Sequence, residues 1–149
     1  MHEFILLVED DSEEQKHAKE VLWAQGFRVA VAGTRRDAKR IWENLGQSLC
    51  GCLTDLHIPE GGRYDKASDV SAPRGLWVVA KAVQQPLPVV ICSDVDHHGA
   101  EYLVEVVRAL ERLYPCSRIP FIMDRKDWER AARELRELVN EKALLEGGT

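Results

Sequence analysis

The stretch Leu49-Cys50-Gly51-Cys52-Leu53-Thr54-Asp55-Leu56-His57-Ile58-Pro59 decides how the chain is read. A short apolar run stops abruptly at a carboxylate, and a proline follows four residues on. A buried strand ending on Asp55 would hold that carboxylate rigidly at the rim of a sheet. Nothing about a strand end by itself requires an acid there.

Working outward, Phe4-Ile5-Leu6-Leu7-Val8 is a continuous apolar run, as in a strand covered on both faces, and it ends on Glu9-Asp10-Asp11. Ser12 reads as a helix N-cap with Gln15 as its capping-box partner; Asp11 with Glu14 is the alternative frame. Ala18, Val21, Leu22 and Gln25 follow at helical spacing, and Gly26 suits a left-handed C-terminal position. Phe27 to Val31 reads as a second strand. Thr34 with Asp37 opens a second helix carrying Ala38, Ile41, Trp42 and Leu45, and Gly46 ends it.

Beyond Pro59, Glu60 to Arg74 reads as a loop, long for a compact domain. Gly75 to Gln85 reads as a third helix with Leu76, Val79, Ala80 and Val83 on one side, stopped by Pro86. Pro88 to Cys92 is a fourth apolar strand ending at Ser93-Asp94. Ala100 to Leu113 is a fourth helix with Leu103, Val106, Val107 and Leu110 in phase, and Ile119 to Met123 a fifth strand. Asp124 or Asp127 starts the last helix, with Trp128, Ala131, Leu135, Leu138 and Val139 inward, before a frayed end at 146–149.

Strand and helix alternate five times. That pattern predicts an α/β fold: a five-stranded parallel sheet, doubly wound in the flavodoxin-like manner, with helices on both faces. In such folds polar site residues gather outside the carboxyl ends of the strands. Those ends carry Glu9-Asp10-Asp11, Asp55, Ser93-Asp94 and Asp124.

The chain has 149 residues, which suits one domain with a core over about 4–140. The formal net charge of -5 argues against a general nucleic-acid or membrane-surface role. No apolar run approaches the roughly 20 residues that span a bilayer, and Met1-His2-Glu3-Phe4 lacks the basic start of a signal peptide. A cytoplasmic protein is expected. Cys50, Cys52, Cys92 and Cys116 fit buried thiols in a reducing compartment better than metal ligands. Cys50 and Cys52, two apart in a strand, are expected to share one face.

Ile5-Leu6-Leu7-Val8-Glu9-Asp10-Asp11, Leu53-Thr54-Asp55-Leu56-His57-Ile58-Pro59 and Val90-Ile91-Cys92-Ser93 together resemble the response-regulator receiver domain of two-component signalling. The resemblance covers the chain from Phe4 to about Leu138. It implies that Asp55 is the phosphoacceptor, taking a phosphoryl group from a phosphohistidine. It implies Mg²⁺ held by Glu9, Asp10, Asp55 and the backbone carbonyl of His57, with Ser93 donating its hydroxyl to a phosphoryl oxygen. Phe121 falls where the family often has a mobile aromatic, although plain core is its commoner role. The implied partners are a histidine kinase or phosphotransfer protein and a downstream protein target, with no direct nucleic-acid or membrane contact. A stand-alone receiver is expected, with no activity beyond self-phosphorylation and self-dephosphorylation. Its output face would be formed by the fourth helix, fifth strand and fifth helix.

Three features depart from the family pattern. Asp124 stands where receivers usually place a phosphoryl-clamping lysine; Lys126, two residues on, is the candidate to swing back. Asp94 follows Ser93 where a small residue is usual. The 60–74 loop replaces a short turn, and Arg63, Lys66, Arg74 or Arg125 would offset the extra acids if that loop folds over the site. These departures motivate a second reading, a pseudo-receiver that binds partners without phosphorylation. A metal-dependent phosphohydrolase is a lower third. Asp94-Val95-Asp96-His97-His98 has metal-binding residue types, but reads better as a polar loop between strand and helix.

Overall fold

The computed structural model describes residues 4–62, 72–94, 97–113, 118–123 and 125–147, with the backbone alone for 97–100. Arg63, Lys66, Val95, Asp96, Cys116 and Asp124, and the side chains of His97 and His98, lie outside the described residues.

The first strand, β1 (Phe4–Val8), pairs in parallel with both β2 (Arg28–Ala32) and β3 (Leu49–Thr54). Two further strands, β4 (Val89–Cys92) and β5 (Phe121–Ile122), complete a five-stranded parallel sheet of order β2-β1-β3-β4-β5. The connecting helices are α1 (Ser12–Ala24), α2 (Arg35–Leu45), α3 (Gly75–Gln84) and α4 (His97–Leu113), with α5 (Trp128–Gly147) last. This is the doubly wound arrangement that the alternation predicts.

Strand periodicity divides the core between the two faces of the sheet. Ile5 and Leu7 of β1 cluster with Ala18 and Leu22 of α1 and Trp128, Ala131 and Leu135 of α5. Leu6 and Val8 cluster instead with Trp42 of α2, Val78 and Val79 of α3, and Leu103 and Val107 of α4. Each fully buried Leu or Ile contributes about 1.5–3 kcal/mol relative to exposure. No helix among the described residues is long and apolar enough to cross a membrane.

Several local expectations are corrected. Cys50 and Cys52 do not share a face, because Phe4 pairs with Leu49 and Ile5 with Gly51. The extra residue is a bulge, which inverts the alternation there. Cys52 therefore packs on the α2–α4 side and Cys50 on the α1–α5 side; both, with Cys92, are free thiols. The N-cap of α1 is Asp11, not Ser12: Asp11 Oδ1 accepts from the backbone N–H of Glu14 at 3.0 Å. Gln15 is drawn away, its amide donating to the Glu9 carbonyl at 2.5 Å. Gly26 adopts the left-handed conformation, φ +85°, and Thr34 caps α2 through the Asp37 N–H. The backbone of His97 and His98 already belongs to α4, so that helix starts before Ala100. Val106 is exposed and out of phase with buried Leu103 and Val107. At the other end, α5 runs on to Gly147, into the stretch expected to fray.

The buried face of α3 is Gly75, Val78, Val79, Ala82 and Val83 rather than the stripe through Leu76 and Ala80, which are half-buried. The cause is Gly75. Its N–H donates to the Leu56 carbonyl at 2.8 Å, pinning the first turn of α3 against the end of β3. A Cβ at Gly75 would overlap the Asp55 carbonyl and lie 2.7 Å from Leu56 Cα. Both obstacles are backbone and neither can swing aside.

The same connection is tied to α2. The Pro59 and Glu60 carbonyls accept the Arg35 and Arg36 N–H groups at 3.0 Å each, satisfying first-turn donors of α2. Arg35 Nε meets Glu60 Oε1 at 2.5 Å and Oε2 at 2.8 Å.

Gly75→Ala is expected to lose about 3 kcal/mol of stability by overpacking, read as a drop in urea midpoint. Gly147→Ala, with nothing within 4 Å of its Cβ, is expected to stay within about 0.5 kcal/mol of wild type.

Candidate functional site

Three neighbouring strands deliver three polar residues to one rim. Glu9 N–H donates to Ala32 O at 3.0 Å, Asp55 N–H to Val8 O at 2.9 Å and Ser93 N–H to Ile122 O at 3.0 Å. The backbone of each residue thus stays bonded to a neighbouring strand while its side chain leaves the strand end. Glu9 is fully buried, and Asp55 and Ser93 are 4% and 2% exposed.

Burial of these polar groups demands partners, and they have them. Asp55 Oδ1 accepts from the Leu56 N–H at 2.7 Å and from Ser93 Oγ at 2.5 Å. Thr54 Oγ1, fully buried, donates to the Asp55 carbonyl at 2.7 Å and stiffens the strand end. Glu9 Oε1 accepts the Asp11 N–H at 3.1 Å.

Lys126 reaches this rim from the connection between β5 and α5. Its Nζ lies 3.0 and 2.8 Å from the two Glu9 carboxylate oxygens and 3.2 Å from Asp55 Oδ2. The residue after it, Asp127, accepts the Arg130 N–H at 3.1 Å, the i→i+3 pattern of a helix cap. That cap fixes where α5 begins and hence where Lys126 leaves the backbone.

The electrostatics follow from two acids sharing one ammonium. Burial pushes the Glu9 carboxyl up from its ordinary 4.5 to about 7, and the negative charge of Asp55 adds to the rise; Lys126 and the Asp11 N–H oppose it. Burial alone would depress the Lys126 ammonium. Its hydrogen bond to Glu9 and the charges of Asp55 and Glu9 outweigh that and hold its pKa above the ordinary value.

Asp10 is exposed beside these two acids. Carboxylate oxygens of Glu9, Asp10 and Asp55 lie within 4.8 Å of one another. Hard oxygen donors converging on a point that already attracts an ammonium suit a hard divalent cation. His57 stands two residues past Asp55, half-buried.

Other expected contributors are elsewhere. Arg74 does not fold over the site; its Nη1 donates to the Ile58 carbonyl at 3.1 Å and its Nε lies 3.5 Å from Glu60 Oε2. Arg125 is exposed, as is Asp94 directly after Ser93. Phe121 is half-buried against the α2–α4 side of the core. The supporting bonds of Thr54 and Gln15, and the Arg35–Glu60–Arg74 clasp, carry no signal in residue spacing.

No protein-family model and no curated protein sequence matches the chain. Solved structures do. A response regulator receiver domain protein from Clostridium thermocellum superposes with TM-score 0.68 at 17% identity, covering 95% of this chain and 98% of that one. A CheY-like receiver domain protein from Methanospirillum hungatei gives 0.67 at 14%, over 96% and 98%. The receiver domain of a histidine kinase from Syntrophus aciditrophicus gives 0.61 at 22%, over 93% and 90%. The fold is the receiver-domain fold. Glu9, Asp55 and Ser93 stand at the strand ends of that receiver fold, and the cation beside them is Lys126.

The raised Glu9 sets a pH dependence. The folded state holds the Glu9 proton up to about 7, whereas the unfolded chain releases it near 4.5. This contribution is therefore full below about 4.5 and lost as the pH rises to about 7. Lys126 stays charged throughout that window. Wild type in EDTA is expected to lose on the order of 3 kcal/mol from this group across the window. Glu9→Gln should lack that segment. Urea unfolding of both proteins at a series of pH values measures the difference.

Proposed function

We propose that the chain is a receiver that accepts a phosphoryl group on Asp55 from a partner histidine kinase or phosphotransfer protein and signals through protein–protein contacts. The observation that carries this reading is Lys126, whose Nζ lies 3.2 Å from Asp55 Oδ2. It supports the reading by supplying a cation beside Asp55, although the sequence has Asp124 where receivers usually have a lysine.

In the transfer, the N–P bond of the phosphohistidine breaks and a bond forms between phosphorus and an Asp55 carboxylate oxygen. The bonding pair returns to the imidazole of the donor. Leu56 N–H and Ser93 Oγ hold the carboxylate in place through Oδ1. Once the phosphoryl group is attached, the Ser93 hydroxyl can donate to one of its oxygens and Lys126 pairs with another. Mg²⁺ would be held by Glu9, Asp10, Asp55 and the His57 carbonyl, and supplies the charge neutralisation that lets an anionic nucleophile meet an anionic phosphoryl group.

Phosphorylation then biases a two-state surface rather than building a new one. The face of α4, β5 and α5 is the proposed output, and Tyr102 and Val106 are exposed on α4. We place the protein in the cytoplasm.

Asp94 supports a second reading. An exposed acid directly after Ser93 opposes entry of a phosphate dianion. A pseudo-receiver would take up no phosphoryl group, and its partner binding would be indifferent to Asp55→Asn.

Incubation with acetyl phosphate and Mg²⁺, followed by intact mass measurement, separates the two. One phosphoryl group is expected on wild type, none without Mg²⁺ and none on Asp55→Asn. Asp94→Ala should be modified several-fold faster than wild type, and Lys126→Ala several-fold more slowly. Uptake that persists in Asp55→Asn, or no uptake by wild type or Asp94→Ala, contradicts the receiver reading.

A further inference from the structure

A concentration of positive charge lies on α2, which packs on β2 and β1 at the sheet edge opposite β5. Positions 35–40 contain Arg35, Arg36, Lys39 and Arg40, in a chain of formal net charge -5. The i,i+4 pairs 35/39 and 36/40 form a double row on one helix face. With Glu43, Glu60 and Gly61 these residues line one concavity.

The four cations are not equivalent. Arg35 is structural: it is held by Glu60 and its guanidinium lies 5.6 Å over the Trp77 ring. Arg36, Lys39 and Arg40 are exposed. Lys39 meets Glu43 of its own helix at 3.9 Å, and Arg40 meets Asp37 at 2.9 Å. Such exposed helix pairs are weak and screened by water, so incoming carboxylates exchange with them readily. Arg36 forms no ion pair among the described residues, although its charge reaches Glu60.

The geometry points to this face as a docking surface for an acidic segment of a partner protein. Carboxylates on separate flexible stems can meet Arg36, Lys39 and Arg40 one at a time, with the fork geometry arginine offers. A nucleic acid fits worse. Asp37, Glu43 and Glu60 are interspersed among the cations and would repel a continuous phosphate chain, as would the net charge at longer range.

The surface is also rigidly joined to the site. The Pro59 and Glu60 carbonyls that bond the Arg35 and Arg36 N–H groups lie on the connection leaving Asp55. A partner seated here contacts a different face from the α4–β5–α5 output surface, so both can be occupied together.

The test uses the full chain and a fluorescently labelled poly-glutamate peptide, followed by anisotropy. Binding is expected at low salt and should weaken as salt rises. The combined variant Arg36→Glu, Lys39→Glu, Arg40→Glu should bind about tenfold more weakly or worse. Lys16→Glu with Lys19→Glu on α1 should bind like wild type. Circular dichroism confirms that each variant is folded, and Arg36→Gln alone gives a milder probe with a smaller loss. Failure of wild type to bind, binding unchanged in the combined variant, or tighter binding of a DNA oligonucleotide of equal charge through the same residues would overturn the inference.

Discussion

One ammonium stands between two buried carboxylates, and the arrangement of the site depends on it. Glu9 and Asp55 lie close enough that their mutual repulsion, at an effective dielectric of about 20, amounts to several kcal/mol. Lys126 offsets it by touching both. Even so, burial, with the charge of Asp55 added, outweighs Lys126, and the more deeply buried Glu9 holds its proton to about 7. A second cation would relieve what Lys126 cannot. The site is therefore electrostatically short of positive charge, which is the condition under which a divalent ion binds.

The sheet order makes this meeting possible. Because β1 lies between β2 and β3, and β4 beside β3, the residues after β1, β3 and β4 end side by side. Glu9, Asp55 and Ser93 are far apart in sequence but adjacent at the rim. Gly75 adds a further constraint: only a residue without a side chain lets α3 close against the Asp55 and Leu56 backbone. The Arg35–Glu60 pair ties the same connection to α2 shortly after it leaves Asp55. Asp55 is thus held from the strand before it and from the turn after it.

Much of this was legible in the sequence because it rests on periodicity and on where apolar runs stop. The runs ending at Val8, Thr54 and Cys92 located the strand ends, and with them Glu9, Asp55 and Ser93. Glycine at 26 and threonine at 34 marked helix boundaries for local reasons of backbone conformation and capping. What was not legible depends on contacts between distant segments. The bulge at Cys50 reverses a face without any sign in composition. The inward stripe of α3 turns on a backbone contact at Gly75, not on which side chains are apolar. Lys126 could be named as a candidate, but its reach to Glu9 follows from how Asp127 caps α5, which spacing alone does not reveal. Arg74, a plausible neutralising cation in sequence, is taken by Ile58 and Glu60 instead.

A divalent ion held by Glu9, Asp10 and Asp55 would draw on the two carboxylates that Lys126 already touches, so its binding would be felt by Lys126. The most direct measurement is NMR observation of the Lys126 side-chain ammonium, assigned through Lys126→Arg, during titration with Mg²⁺. A saturable shift of that resonance is expected, with weaker Mg²⁺ affinity in Glu9→Gln. A Lys126 signal that stays fixed while Mg²⁺ saturates the protein, or no saturable response to Mg²⁺ at all, would contradict a site built around charge shared by Glu9, Asp55 and Lys126.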